Sequence, residues 1–312
     1  MSASFDTPPL TNPQRVVDHV GQIILGKSLQ IRLAFTCMLA RGHLLIEDLP
    51  GVGKTTLAHA LAQTLGLHFQ RIQFTSDLLP ADIIGVSIFD RERSAFTFHQ
   101  GPIFAQLILA DEVNRATPKA QSALLEAMEE NQVTMDNATH PLPEPFFVIA
   151  TQNPSHQIGT FPLPESQLDR FLMRIELGYP DASAERRLLE GEDRRDLVSH
   201  LETTLAPDEL IALQRCVRDV HVSSPLLDYV QALLRFSRTS NLYRNGLSPR
   251  AGLALLHCAQ AWAMLDGRDH VLVEDVQAVL PSVAGHRLQP MDASAYHPQG
   301  ALVDELLSVP IP

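Results

Sequence analysis

Pro50-Gly51-Val52-Gly53-Lys54-Thr55-Thr56 sets two glycines, a lysine and two threonines close behind the apolar segment Leu44 to Ile46. Glycines at such a turn let consecutive backbone N–H groups converge on phosphate oxygens. The lysine reaches the β- and γ-phosphates, and the first threonine hydroxyl ligates Mg²⁺. The run therefore predicts a site for a nucleoside triphosphate, with Lys54 on the phosphates and Thr55 on the metal. The pattern G-x-x-x-x-G-K-[ST] fails only at its first position, where Asp48 replaces glycine.

Two further segments supply what such a loop lacks. Leu107-Ile108-Leu109-Ala110-Asp111-Glu112 ends an apolar strand in two carboxylates. Asp111 is expected to hold Mg²⁺ through water, and Glu112 to orient and deprotonate the attacking water. Thr151-Gln152-Asn153-Pro154 follows the apolar Phe146 to Ala150. A polar side chain at that strand end, Asn153, is placed to hydrogen-bond a γ-phosphate or the lytic water.

These residues need a sheet whose strand ends lie together. Apolar strand candidates at Leu44 to Ile46, Phe69 to Phe74, Leu107 to Asp111, Phe146 to Thr151 and Met173 to Leu177 alternate with helical patterns. That alternation predicts an α/β fold, a parallel sheet covered by helices, as in P-loop NTPases. After Pro180 helical periodicity takes over, at Ala184 to Leu189, Asp208 to Val217, Leu226 to Phe236, Arg250 to Leu265 and Glu274 to Leu280. The expected organisation is a nucleotide-binding core at 1–181, with 1–13 as a loose arm, and an all-helical domain at 182–312.

Composition narrows the function classes. The 312 residues carry 24 Lys and Arg against 36 Asp and Glu, a net charge of −12. That balance argues against a bulk electrostatic grip on nucleic acid. Cys37, Cys216 and Cys258 suggest neither a disulfide framework nor a zinc cluster. No apolar run is long enough to span a bilayer and the first residues do not read as a signal peptide, so a cytoplasmic protein is expected. Glu126, Glu129 and Glu130 read as a solvated helix face, and Trp262 as helical core.

Lys54-Thr55, Asp111-Glu112 with Asn114-Arg115, Gln121 to Met128, Ala150 to Pro154 and Leu163-Pro164-Glu165-Ser166-Gln167-Leu168-Asp169-Arg170-Phe171 together resemble the MoxR family of AAA+ ATPases. The resemblance implies an ATP- and Mg²⁺-dependent ATPase, with a C-terminal helical lid, that assembles as a homo-oligomeric ring, usually a hexamer. It further implies chaperone-like maturation of partner complexes, often metal or cofactor insertion, with a von Willebrand factor A-domain protein. Within it Asn153 matches sensor 1, Arg170 the arginine finger lent to a neighbouring subunit, and Arg250 sensor 2. The alternative for Arg170 is an ordinary salt bridge to Asp169 or Glu165; Arg115 is either a second trans-acting arginine or structural. Segments around Ile88 to Phe98 and Asn131 to His140 resemble the helix-2 insert and the pre-sensor-1 hairpin. A magnesium-chelatase-like motor subunit shares these insertions, and a nucleic-acid motor or loader is the remaining alternative.

Overall fold

The computed structural model describes residues 12–91, 94–136, 138–153, 160–191, 194–292 and 300–311. The expected arm up to residue 11, Glu92 and Arg93, and Pro154 lie outside them. Strands β1 (Leu44–Glu47), β2 (Phe69–Gln73), β3 (Gly85–Asp90), β4 (Ala95–Gln100), β5 (Leu107–Asp111), β6 (Gln132–Met135), β7 (Ala138–Pro141), β8 (Phe147–Gln152) and β9 (Met173–Ile175) form one sheet and two hairpins. The sheet is parallel, in the order β2-β5-β8-β1-β9. Its register aligns Gln73 with Asp111, Ala110 with Ala150, and Ile46 with Thr151. The carboxyl ends of β1, β5 and β8 consequently lie side by side, the place where open α/β sheets bind ligands.

Helices α1 (Gln14–Ile23), α2 (Ser28–Leu39) and α3 (Lys54–Thr64) cover one face of the sheet; α4 (Pro80–Ile84) and α5 (Pro118–Glu130) cover the other. Leu44, Ile46, Leu107 and Ile149 point into the first layer, whereas Leu45, Ile108, Ala110 and Val148 point into the second. Both sets are buried, which explains why these strands read as continuous apolar runs. A short helix α6 (Glu165–Leu168) precedes β9.

The remaining helices are α7 (Ala182–Glu190), α8 (Arg194–Val198), α9 (Pro207–Cys216), α10 (Ser224–Thr239), α11 (Pro249–Leu265), α12 (Val273–Ala284) and α13 (Ala301–Leu307). Two open on a serine cap with a proline in the first turn, α11 at Ser248-Pro249 and α10 at Ser223, one residue ahead of Ser224-Pro225. Ser223 accepts from the Leu226 N–H, and Ser248 from the Ala251 N–H at 3.1 Å. Leu226, Leu233, Leu255, Cys258 and Val279 join the same core as the first face of the sheet, so the helical part packs on that layer. Trp262 is buried, with the Arg32 guanidinium 4.0 Å above its ring. Helix α12 runs past the expected end at Leu280, through Pro281, to Ala284.

Both expected hairpins form. Phe89 faces Phe96 across β3 and β4 with ring centroids 5.3 Å apart, and the two rings are 50% and 72% exposed. Phe98 of β4 stacks on His140 of β7 at 4.2 Å, which ties one hairpin to the other.

Candidate active site

Gly51 and Gly53 sit at φ +87° and +98°, with open space where a side chain would stand. Positive φ at both positions turns the loop sharply into α3. Lys54 opens that helix and is only 8% exposed. Its Nζ donates to Asp48 O at 2.6 Å, Leu49 O at 3.2 Å and Asn153 Oδ1 at 3.3 Å. All three acceptors are neutral. Burial pushes the Lys54 pKa down, opposed by the charges of Asp48, Asp111 and Glu112. A buried ammonium with no ion pair among the described residues, beside an open glycine turn, fits a phosphate chain. Val52 and Thr56 are half-buried, while Pro50, Gly51 and Thr55 are exposed at the mouth of the loop.

Asp48 explains the broken first position of the phosphate-loop pattern. Its Oδ2 accepts from the Leu177 N–H at 2.7 Å and the Gly178 N–H at 2.6 Å, and its Oδ1 from the Leu49 N–H at 2.7 Å. The carboxylate fastens the loop to the chain leaving β9, a role that motif matching does not reveal.

At the next strand end, Asp111 Oδ1 accepts from the Thr151 hydroxyl at 2.6 Å, and Oδ2 from Arg71 Nη2 at 2.5 Å. Glu112 stands in the left-handed region, φ 57° and ψ 48°, which departs from the strand's alternation and turns its side chain toward the same edge as Asp111. A non-glycine residue there costs about 1–3 kcal/mol and concentrates at functional sites. Its backbone N–H donates to Thr151 Oγ1 at 2.9 Å, so Thr151 holds both carboxylate residues in place. Asn153 Nδ2 donates to Glu112 Oε1 at 3.1 Å. Glu112 Oε2 accepts from Arg115 Nε at 3.0 Å and Gln73 Nε2 at 3.3 Å. The structure thus brings Lys54, Asn153, Glu112, Asp111 and the glycine loop together, with Arg115 beside them. Among the described residues no cluster of three or more His, Cys, Asp or Glu side chains is arranged for a metal. A divalent ion here would rely on phosphate oxygens together with Thr55 and Asp111.

Arg170 and Arg250 lie elsewhere. They meet at Glu129 in the last turn of α5, where Oε2 is 2.9 Å from Arg170 Nη2 and Oε1 is 2.8 Å from Arg250 Nη2. Arg170 Nη1 also donates to Leu125 O at 2.7 Å. Both arginines line a cleft of about 640 Å³ with His43, which precedes β1, and Phe146, which precedes β8. The phosphate loop follows the other end of β1, a four-residue strand about 13 Å long. The arginine pair and the loop therefore occupy opposite edges of the sheet. Arg170 pairs with neither Asp169 nor Glu165. Asp169 instead accepts from Arg287 Nε at 2.7 Å, and Arg287 also donates to Phe171 O at 2.8 Å, fixing the segment that carries Arg170. Glu129 is corrected from a solvated face to an ion-pair centre; a carboxylate near a helix end gives no sequence signal that two distant arginines will find it.

A family model described as the ATPase family associated with various cellular activities (AAA) matches residues 43–173, and an AAA lid domain model matches 235–306. The uncharacterized protein YeaC of Bacillus subtilis is 43% identical, covering 92% of this chain and 89% of its own. The chaperone MoxR1 of Mycobacterium tuberculosis is 40% identical over 88% of this chain and 75% of its own. A crystal structure from Cytophaga hutchinsonii superposes with a TM-score of 0.85 at 35% identity, covering 95% of this chain and 93% of that one. With a parallel sheet carrying a phosphate loop, a helical C-terminal part and these relatives, the chain belongs to the MoxR family of AAA+ ATPases.

Proposed function

We propose that the chain hydrolyses ATP with Mg²⁺ in a ring of identical subunits, a hexamer, and uses the cycle for chaperone-like remodelling. One observation carries this reading: Asn153 bridges Lys54 and Glu112, spanning the phosphate-holding and water-activating groups. Gly51, Gly53 and Lys54 would hold the phosphates, with Pro50, Val52 and Thr56 shaping the loop around them. Thr55 and Asp111 would hold Mg²⁺, which when bound offsets charge on the phosphate oxygens. Glu112 accepts a proton from the attacking water, and Asn153 orients it.

Two features support the assembly. Arg170 and Arg250 stand too far from their own loop to serve it, so they would act on the nucleotide of a neighbouring subunit. The exposed Phe89–Phe96 pair offers a contact for a partner, in this reading a von Willebrand factor A-domain protein. The division at 181–182 separates a nucleotide core from a lid, and the site of action is the cytoplasm, where a client complex would receive its metal or cofactor.

The test separates binding from chemistry. Lys54→Ala should abolish tight ATP binding, whereas Glu112→Gln should retain it and lose turnover by roughly 10²- to 10⁴-fold. Equal loss of affinity in both variants would overturn the assignment.

A further inference from the structure

Glu129 sits one residue before the end of α5, where the helix dipole disfavours a carboxylate and where Glu126 and Glu130 add like charge. Nothing in its own helix favours an acid there. The pair of guanidinium groups offsets this: the Arg250 hydrogen bond, then the charges of Arg170 and Arg250, keep its carboxyl below the usual range. Each carboxylate oxygen serves a different arginine, at 2.8 and 2.9 Å. Arg170 is further fixed by Leu125 O, so the pair has a defined spacing. The Glu129 side chain remains 35% exposed, so the carboxylate is accessible for exchange with a solute.

Carboxylate and phosphate are the two anions whose paired oxygens guanidinium groups grip in the same way. We propose that Glu129 is a built-in stand-in for a phosphate: it keeps Arg170 and Arg250 paired in the free subunit and yields them only to the terminal phosphate of a nucleotide carried by a second copy of the chain. The phosphate, carrying more charge and more acceptor oxygens than a carboxylate, displaces Glu129, whereas weaker anions do not. Glu129 is thus a positioning residue that also raises the threshold for engaging the pair. The inference rests on the reading that the pair acts on a neighbour's nucleotide, but its test does not require a ring or turnover.

The alternative is a plain latch between α5 and α11, and a phosphate probe distinguishes the two. In a Lys54→Ala background, which removes the phosphate loop as a competing site, inorganic pyrophosphate binding to the full chain is measured by calorimetry. Adding Glu129→Ala should tighten binding about tenfold or more, as expected when a charged hydrogen-bonding competitor leaves the clamp. Adding Arg170→Ala and Arg250→Ala should reverse the gain. Affinity unchanged by Glu129→Ala, or a gain that survives loss of both arginines, overturns the proposal. Should the alanine variant fail to fold, Glu129→Gln keeps the side-chain size without the charge; it too should bind more tightly, and no gain there is equally fatal. If pyrophosphate behaves as expected while mixed subunits stay inactive, the clamp stands and the ring reading fails.

Discussion

Asp48 accepts a hydrogen bond from the backbone N–H of Gly178 at 2.6 Å, joining the entrance of the phosphate loop to the exit of the last sheet strand. The same carboxylate takes the N–H groups of Leu177 and Leu49. Restoring glycine at this position would perfect the motif and leave three donors without their acceptor. Asp48→Gly should therefore lower the unfolding free energy by about 2–4 kcal/mol, hydrogen bonds to charged groups being the stronger class. Chemical denaturation measures it; a variant as stable as the parent would show that the loop is tethered by other means.

Asn153 is held at both ends, by Lys54 on one side and Glu112 on the other. Removing it leaves Lys54 its two backbone acceptors but deprives Glu112 Oε1 of its donor. Asn153→Ala should change ATP affinity only a few-fold while lowering kcat by roughly 10²-fold, the scale seen when one preorganised donor is lost. Steady-state kinetics with a direct binding measurement separates these effects, and a loss confined to affinity would move Asn153 from chemistry to binding.

The legible part of this chain was the part written in local periodicity and in contiguous motifs. Leu107 to Asp111 reads as a buried strand because both of its faces are covered, and Gly51 to Thr55 reads as a phosphate turn because its chemistry is consecutive. The illegible part is carried by single polar side chains whose partners are far away in sequence. Glu129 meets Arg170 and Arg250 only after the lid packs onto the core, and Arg287 reaches Asp169 from α12. The short helices α4 and α8 escape because five residues are too few to show a helical period. Pro281 misled the end of α12, because proline normally marks a helix boundary.

His43 gives the stability a pH dependence. Its Nδ1 accepts from the Val148 N–H at 3.0 Å, so Nε2 carries the proton toward Met128 O at 3.1 Å, and the ring is neutral. Burial lowers its pKa from 6.5 to about 4. His286, buried against Phe171 O, is depressed for the same reason. As pH falls through 6.5 the unfolded chain takes up protons that the folded chain refuses, so stability must fall toward pH 4. For His43 alone that loss is at most about 3 kcal/mol over the window. His43→Gln, which has an acceptor and a donor for the same two partners but does not titrate, should flatten the pH dependence of urea unfolding between pH 7 and pH 5. An unchanged slope would assign the effect to other groups.

Arg170 and Lys54 lie at opposite edges of one subunit, so their defects should be separable between subunits. Arg170→Ala keeps the phosphate loop and should bind ATP nearly normally, yet hydrolyse it slowly, since an arginine lent to a phosphoryl transfer contributes roughly 10³- to 10⁵-fold. Lys54→Ala has the opposite defect: it loses its hold on ATP but still presents Arg170, held by Leu125 O and by Glu129. Mixing the two inactive proteins should restore measurable turnover at every contact where an Arg170→Ala subunit's nucleotide faces an intact Arg170. The recovered rate should rise and fall with the mixing ratio, peaking near equal amounts, because productive contacts need one subunit of each kind. Native mass spectrometry reports whether mixed assemblies form. Mixed assemblies with turnover at background would mean that Arg170 does not act across the subunit contact.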